Sequence, residues 1–86
     1  MLHTLLVYDI TNDRIRSKIA NICQDYGLDR IQYSAFYGRM SRTHQEELMR
    51  RVRRLIKNEP ARVQLISVGQ SEWERRIEIE VHEEQA

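Results

Sequence analysis

Asp9 is the one acidic residue in the mostly apolar run from Leu2 to Ile10. A carboxylate at the end of such a run is costly unless hydrogen bonds or a cation use it. Two uses are open: accepting backbone N–H groups in the Thr11-Asn12-Asp13 turn, or ligating a metal. Mg²⁺ takes one or two carboxylates together with waters and substrate phosphate, so one Asp per subunit suffices if a dimer axis pairs it with its twin. Arg14, Arg16 and Lys18 follow at once, in the first turns of an expected helix. Cations there oppose the helix dipole, which a bound phosphate would offset; singly, they also read as a solvated flank lying over the apolar stripe. Further along, Arg50, Arg53, Arg54 and Lys57 share one helical face, with Arg51 at its margin and Glu46 and Glu47 placed to offset Arg50 and Arg51. The planar guanidinium fork suits phosphate oxygens, which makes this face a candidate nucleic-acid contact; the plainer reading is a solvated helix side. Other chemistries find no support. His3, His44 and His82 are scattered without metal-ligand spacing, and neither a glycine-rich phosphate loop nor a nucleophilic triad is indicated. Tyr8, Tyr33, Phe36, Tyr37 and Trp73 either offer stacking surfaces to bases or fill a core.

The elements that must hold these residues follow from periodicity. Leu2 to Ile10 predicts a central strand covered on both faces. Thr11-Asn12-Asp13 supplies N-cap residues, and Ile15, Ile19, Ile22, Cys23 and Tyr26 recur at helical spacing until Gly27. Residues 30–40 are rich in β-formers and make one bent strand or two short ones, with Gly38 at a bend or bulge. Thr43 with Glu46 predicts a capping box for a second helix, whose apolar face is Leu48, Val52, Leu55 and Ile56 and which Pro60 closes. Residues 61–68 read as a strand and 69–74 as a turn. Ile77, Ile79 and Val81 then alternate with Glu78, Glu80 and His82, predicting a last strand over about 76–82. The order β-α-β-β-α-β with an extra C-terminal strand gives a ferredoxin-like α/β (α+β) sandwich as the simplest packing.

An 86-residue chain is a single domain, 1–86, with a thin core, and gains from burying further apolar surface in an oligomer. Its 41% hydrophobic and 31% charged content is too apolar for a disordered segment. The net charge of +1 conceals an uneven distribution: residues 1–71 hold 12 Lys and Arg against 7 Asp and Glu, and residues 72–86 hold 2 against 6. Such blocks suggest a basic body with an acidic strand elsewhere, or pairing of tail and body between chains. One cysteine, Cys23, excludes an intrachain disulfide and a thiolate zinc cluster, and the apolar start is too short to cross a bilayer and has no basic leader. A cytoplasmic protein without membrane contact is expected.

The stretch VYDITNDRIRSKIA followed by YGLDRIQYSAFYGRM resembles the signature region of the CRISPR-associated protein 2 family, and the likeness covers nearly the whole chain, with Trp73 to Ile79 similar to the family's terminal strand. The resemblance implies a homodimer of ferredoxin-like subunits in which each C-terminal strand packs on the partner's sheet. It also implies two Asp9 carboxylates sharing a divalent metal, Mg²⁺, across the interface. Members of the family are metal-dependent endonucleases on RNA or DNA, and also scaffolds for the CRISPR-associated integrase in spacer acquisition. Carried over, Asp9 is the metal ligand, and Tyr8, Arg16, Arg30 and Phe36 are the accompanying catalytic-site residues. Lys18 stands where some relatives have Arg, losing the bidentate grip on phosphate, and Ala35 where Val is usual. A catalytically silent scaffold and a toxin-like ribonuclease of the same fold are the alternative expectations.

Overall fold

The computed structural model describes residues 1–83. β1 (Leu2–Ile10) leads into α1 (Asp13–Asp25), followed by β2 (Asp29–Gln32), β3 (Ala35–Met40), α2 (Arg42–Ile56), β4 (Ala61–Val68) and a short α3 (Gln70–Glu74). The strands form one sheet in the order β2-β3-β1-β4, every neighbouring pair antiparallel. With α1 and α2 on one face, this is the ferredoxin-like sandwich expected from the sequence. Residues 30–40 resolve as two strands, because the chain reverses at Tyr33 and Ser34 between β2 and β3.

α1 starts where its sequence dictates: the Asn12 side chain accepts from the Ile15 N–H at 3.0 Å. It ends with Gly27 at φ +79, where Gly27 N–H donates to Gln24 O and Leu28 N–H to Cys23 O, closing the last turn. α2 corrects the expected cap. Its N-cap is Ser41, which accepts from His44 N–H, and Thr43 lies within the first turn. Both are capping residue types, but only Ser41 has the extended backbone a cap needs, φ −75 and ψ 161. The turn expected at 69–74 contains α3 instead.

Leu6, Ile19, Phe36, Leu48 and Val52 are the centre of the core between the helices and the sheet. Gln45 pins α2 to that sheet, donating to Thr4 Oγ1 at 2.8 Å and Ser67 Oγ at 3.0 Å, so its buried amide is satisfied. Gly38 is not the bulge. The register shift lies on β2 between Arg30 and Gln32, whereas a Cβ at Gly38 would stand 2.5 Å from Leu28 Cδ2 and 3.1 Å from Gly27 O. Glycine there lets the α1–β2 connection lie against β3.

β1 is central, but the two long helices, α1 and α2, cover only one of its faces. Thr4, Leu6, Tyr8 and Ile10 are buried on the helical side, while Leu5 and Val7 are half-buried on the other and Asp9 is exposed. On that second face α3 packs alone: Trp73 stacks on Tyr37 at 3.8 Å between centroids and 2° between planes. Tyr37 in turn meets His3, its hydroxyl 2.5 Å from His3 Nδ1. Residues 76–83, expected to contain a strand, have no strand partner within one chain, and Ile77, Ile79 and Val81 are 94%, 88% and 87% exposed.

Candidate active site and basic surface

Strand alternation sends neighbouring side chains to opposite faces, and this divides the expected site. Asp9 projects from the last turnout of β1 on the open face, directly opposite Arg62 of β4 in the antiparallel register. A small concavity of about 160 Å³ there is lined by Val7, Tyr8, Asp9, Arg62 and Gln64. Asn12, not Asp9, caps α1 by accepting from Ile15 N–H. Among the described residues Asp9 has no ion pair within 4 Å.

Tyr8 lies on the other face, 6% exposed and stacked against Phe36 at 6.3 Å. Its hydroxyl is buried and has no hydrogen-bond partner among the described residues. Burial pushes the phenol above its usual value of 10, against the opposing pull of Arg30 and Arg16. Those two arginines join Tyr8 and Phe36 in one aromatic and cationic cluster. The Arg30 guanidinium sits 5.1 Å from the Phe36 ring centre and donates to Tyr33 O at 2.8 Å. Arg16 lies 5.4 Å from the Tyr33 ring, donates to Ile10 O at 2.9 Å and pairs with Asp13. The structure therefore gathers Tyr8, Arg16, Arg30 and Phe36 and leaves Asp9 across the sheet from the aromatic pair.

The basic side chains are displayed much as the helical spacing suggests. Arg14 and Lys18 on α1, Arg50, Arg53 and Arg54 on α2, and Lys57 just beyond it are exposed, without ion pairs among the described residues. Arg51 is different, and Glu47 is not its partner. It reaches α1, 3.6 Å from Asp25 and 5.5 Å from the Tyr26 ring centre, and so serves the contact between helices. Arg62 and Tyr33 are the residues that linear reading missed. Cross-strand register brings Arg62 to Asp9, and nothing in the spacing of residues 9 and 62 announces it; Tyr33 was noted only as an aromatic, not as the platform for Arg16.

A lone carboxylate on the open face of an antiparallel sheet, backed by two helices with exposed cations, defines a small ferredoxin-like α+β protein with the surface to meet an anion. The chain belongs to the CRISPR associated protein Cas2 family, whose model matches residues 1–76. It is 49% identical over 77 residues to CRISPR-associated endoribonuclease Cas2 2 of Chloroflexus aurantiacus, covering 88% of this chain and 91% of that protein. Among solved structures, Streptococcus pyogenes Cas2 superposes with a TM-score of 0.78 at 19% identity, covering 91% of this chain and 99% of that one. A chain of a partial Cas6-RT-Cas1-Cas2 complex gives a TM-score of 0.78 at 20% identity, covering 92% and 85%. At such identities these two structures establish the fold alone. No described helix is long and apolar enough to cross a membrane.

Proposed function

We propose that the chain acts in CRISPR adaptation as a homodimer that grips nucleic-acid phosphates and carries a Mg²⁺-dependent phosphodiesterase centre at paired Asp9 carboxylates. The observation that carries this reading is the availability of Asp9: it is exposed at the end of β1, is not the cap of α1, and faces a cation rather than the core. One chain supplies one carboxylate there, and the described residues contain no group of three or more His, Cys, Asp or Glu side chains. That donor set suits Mg²⁺, which keeps several waters, and needs the partner's carboxylate to complete it. Such an ion would supply a water of lowered pKa and neutralise charge on a bound phosphate.

The chain's own residues would hold and orient the strand. Arg62, beside Asp9, is placed to meet a phosphate oxygen. Arg16 is a positioning residue: by binding Ile10 O and Asp13 it fixes the turn that follows Asp9. Arg30 does the same for the β2–β3 turn through Tyr33 O. Phe36 and Tyr8 stack beneath them in the core.

Asp9→Asn tests the centre, since it preserves size and removes the charge the metal needs. Mg²⁺-dependent cleavage of single-stranded RNA and of duplex DNA should fall to background while light scattering still shows a dimer. Cleavage at the wild-type rate, in a preparation free of contaminating nuclease, would remove Asp9 from the mechanism.

One observation favours a scaffold as the second reading. The hydroxyl of Tyr8, the acid adjoining Asp9 in sequence, is buried away from the open face, and the other residues lining the concavity with Asp9, namely Val7, Arg62 and Gln64, include no Asp, Glu, His or Cys to protonate a leaving group. A CRISPR-associated endonuclease Cas1/endonuclease Cas2 fusion of Thermoproteus tenax, 37% identical over 67 residues and 78% of this chain, supports the CRISPR-associated integrase as the partner. Full spacer integration by the Asp9→Asn protein with its integrase would favour the scaffold; loss of integration would tie the process to the carboxylate. The toxin-like ribonuclease outside CRISPR loses its support with the family membership.

A further inference from the structure

Lys57 stands in a backbone conformation that its residue type resists. Its φ is 54 and its ψ is −113, and it is the one non-glycine residue with positive φ among those described. The Glu59 N–H donates to Ile56 O at 3.0 Å, closing a turn in which Lys57 takes the first central position. These angles are those of the type II′ turn, whose first central residue is normally glycine because a Cβ is crowded there. Nothing about ending α2 requires a lysine: a glycine would make the same turn without strain. Strain retained at one side chain is a reason to ask what that side chain does.

The Lys57 side chain lines an open depression of about 760 Å³ where α1 and the end of α2 meet. Lys18 comes from α1 and Arg54 from the last turn of α2, and Asn58 adds an amide; Ile15 and Leu55 are among the apolar residues beneath. Three cations from three local segments thus converge on one concavity, with Glu59 as the single acid of the lining. Lys18, Arg54 and Lys57 have no ion pair among the described residues, so the charge is not neutralised internally. A concave, net positive basin spanning two helices offers several cations at once to neighbouring phosphate oxygens.

We propose that Lys57, Arg54 and Lys18 form a seat for adjacent phosphates of a nucleic-acid backbone, and that the strained turn at Lys57 serves to carry its ammonium group into that seat. This deepens the nucleic-acid reading above and rests on it. The seat differs from the exposed Arg50 and Arg53 face in being concave, shared between helices and dependent on a backbone conformation.

The experiment uses the full chain and two variants. Lys57→Gly removes both the charge and the strain; Lys57→Gln removes the charge and keeps the strain. Each is measured for thermal midpoint and, by fluorescence anisotropy over a range of salt, for affinity toward a fluorescent DNA duplex. Lys57→Gly is expected to melt about 4 °C above the wild type, and Lys57→Gln at the wild-type temperature. Both should bind the duplex about fivefold more weakly and flatten the slope of log affinity against log salt by about 0.9, one phosphate contact. Wild-type affinity and slope in both variants would overturn the seat, and so would a Lys57→Gly protein that melts below the wild type. Inorganic tripolyphosphate displacing the duplex at micromolar concentration, in a manner lost with Lys57→Gln, would overturn the backbone assignment in favour of a free polyphosphate. A wild-type protein that binds no duplex at all would instead fail the nucleic-acid reading on which the seat rests.

Discussion

Tyr8 shows how much a single atom can decide. Its hydroxyl is buried beside Phe36 with no partner among the described residues, so the fold bears the desolvation of a polar group and receives no hydrogen bond from them in return. Tyr8→Phe is accordingly expected to raise stability by about 1 kcal/mol in urea denaturation; a loss of stability would mean that the hydroxyl has a partner. The pH dependence follows from the same burial. Because the folded-state phenol is raised above 10, its contribution is complete below pH 10 and is lost as pH rises through the folded value. Cys23, buried and pushed up to about 12 by desolvation, acts in the same direction between about pH 9 and 12. The variant should therefore lose less stability than the wild type on passing from pH 9 to pH 11. Tyr8 and Asp9 also mark where the sequence was under-read. Adjacent residues of a strand face opposite ways, so their separation was legible in the period of two, but the family likeness joins them as one site.

Elements with a long, regular period were legible: β1, α1, α2 and β4 stand where apolar spacing puts them. The errors fall where the deciding contact is tertiary or the element too short to show a period. α3 has five residues and stays in place through Trp73 stacking on Tyr37, a contact no local pattern encodes. The choice of Ser41 over Thr43 depended on backbone dihedrals that two similar capping residues do not distinguish. Gly38 is not a bulge because the need for glycine there is close approach by another segment, here Leu28 and Gly27. On α2 the arginines divide by role. Arg51 meets Asp25 of α1 and Tyr26 just beyond it, whereas Arg50 and Arg53 face solvent without ion pairs among the described residues. Replacing Arg50 and Arg53 with Gln should leave the thermal midpoint within about 2 °C of the wild type, as surface substitutions do. Duplex affinity should fall alike for unrelated sequences, and the salt slope should flatten by up to about 1.8. An unchanged slope would return that side of the helix to simple solvation.

The single chain leaves a sheet face and a sheet edge unfinished, and the two deficits lie beside one another. Leu5, Val7, Ile31 and Val68 line a depression of about 440 Å³ on the open face, with Trp73 and Ile77 of the C-terminal segment also at its border. β4 pairs with β1 on one side only, so its outer edge presents unpaired backbone groups, a template for another strand. Residues 77–81 have the alternation of a strand with one apolar face, yet find no ladder partner in their own chain and expose that face almost completely. A second copy of the chain would supply both needs: its tail would extend the sheet at β4, and the apolar faces would close on each other with Asp9 brought toward its twin. Deleting residues 77–86 tests this while sparing Arg76, whose guanidinium lies 4.1 Å from the Trp73 ring centre and stays with the α3 stack. The truncated protein should be monomeric or aggregated by light scattering and should lose Mg²⁺-dependent cleavage although Asp9 remains. A truncated chain that is still a stable, active dimer would show that the tail does not build the interface, and the proposal of a metal shared by two Asp9 carboxylates would lose its structural basis.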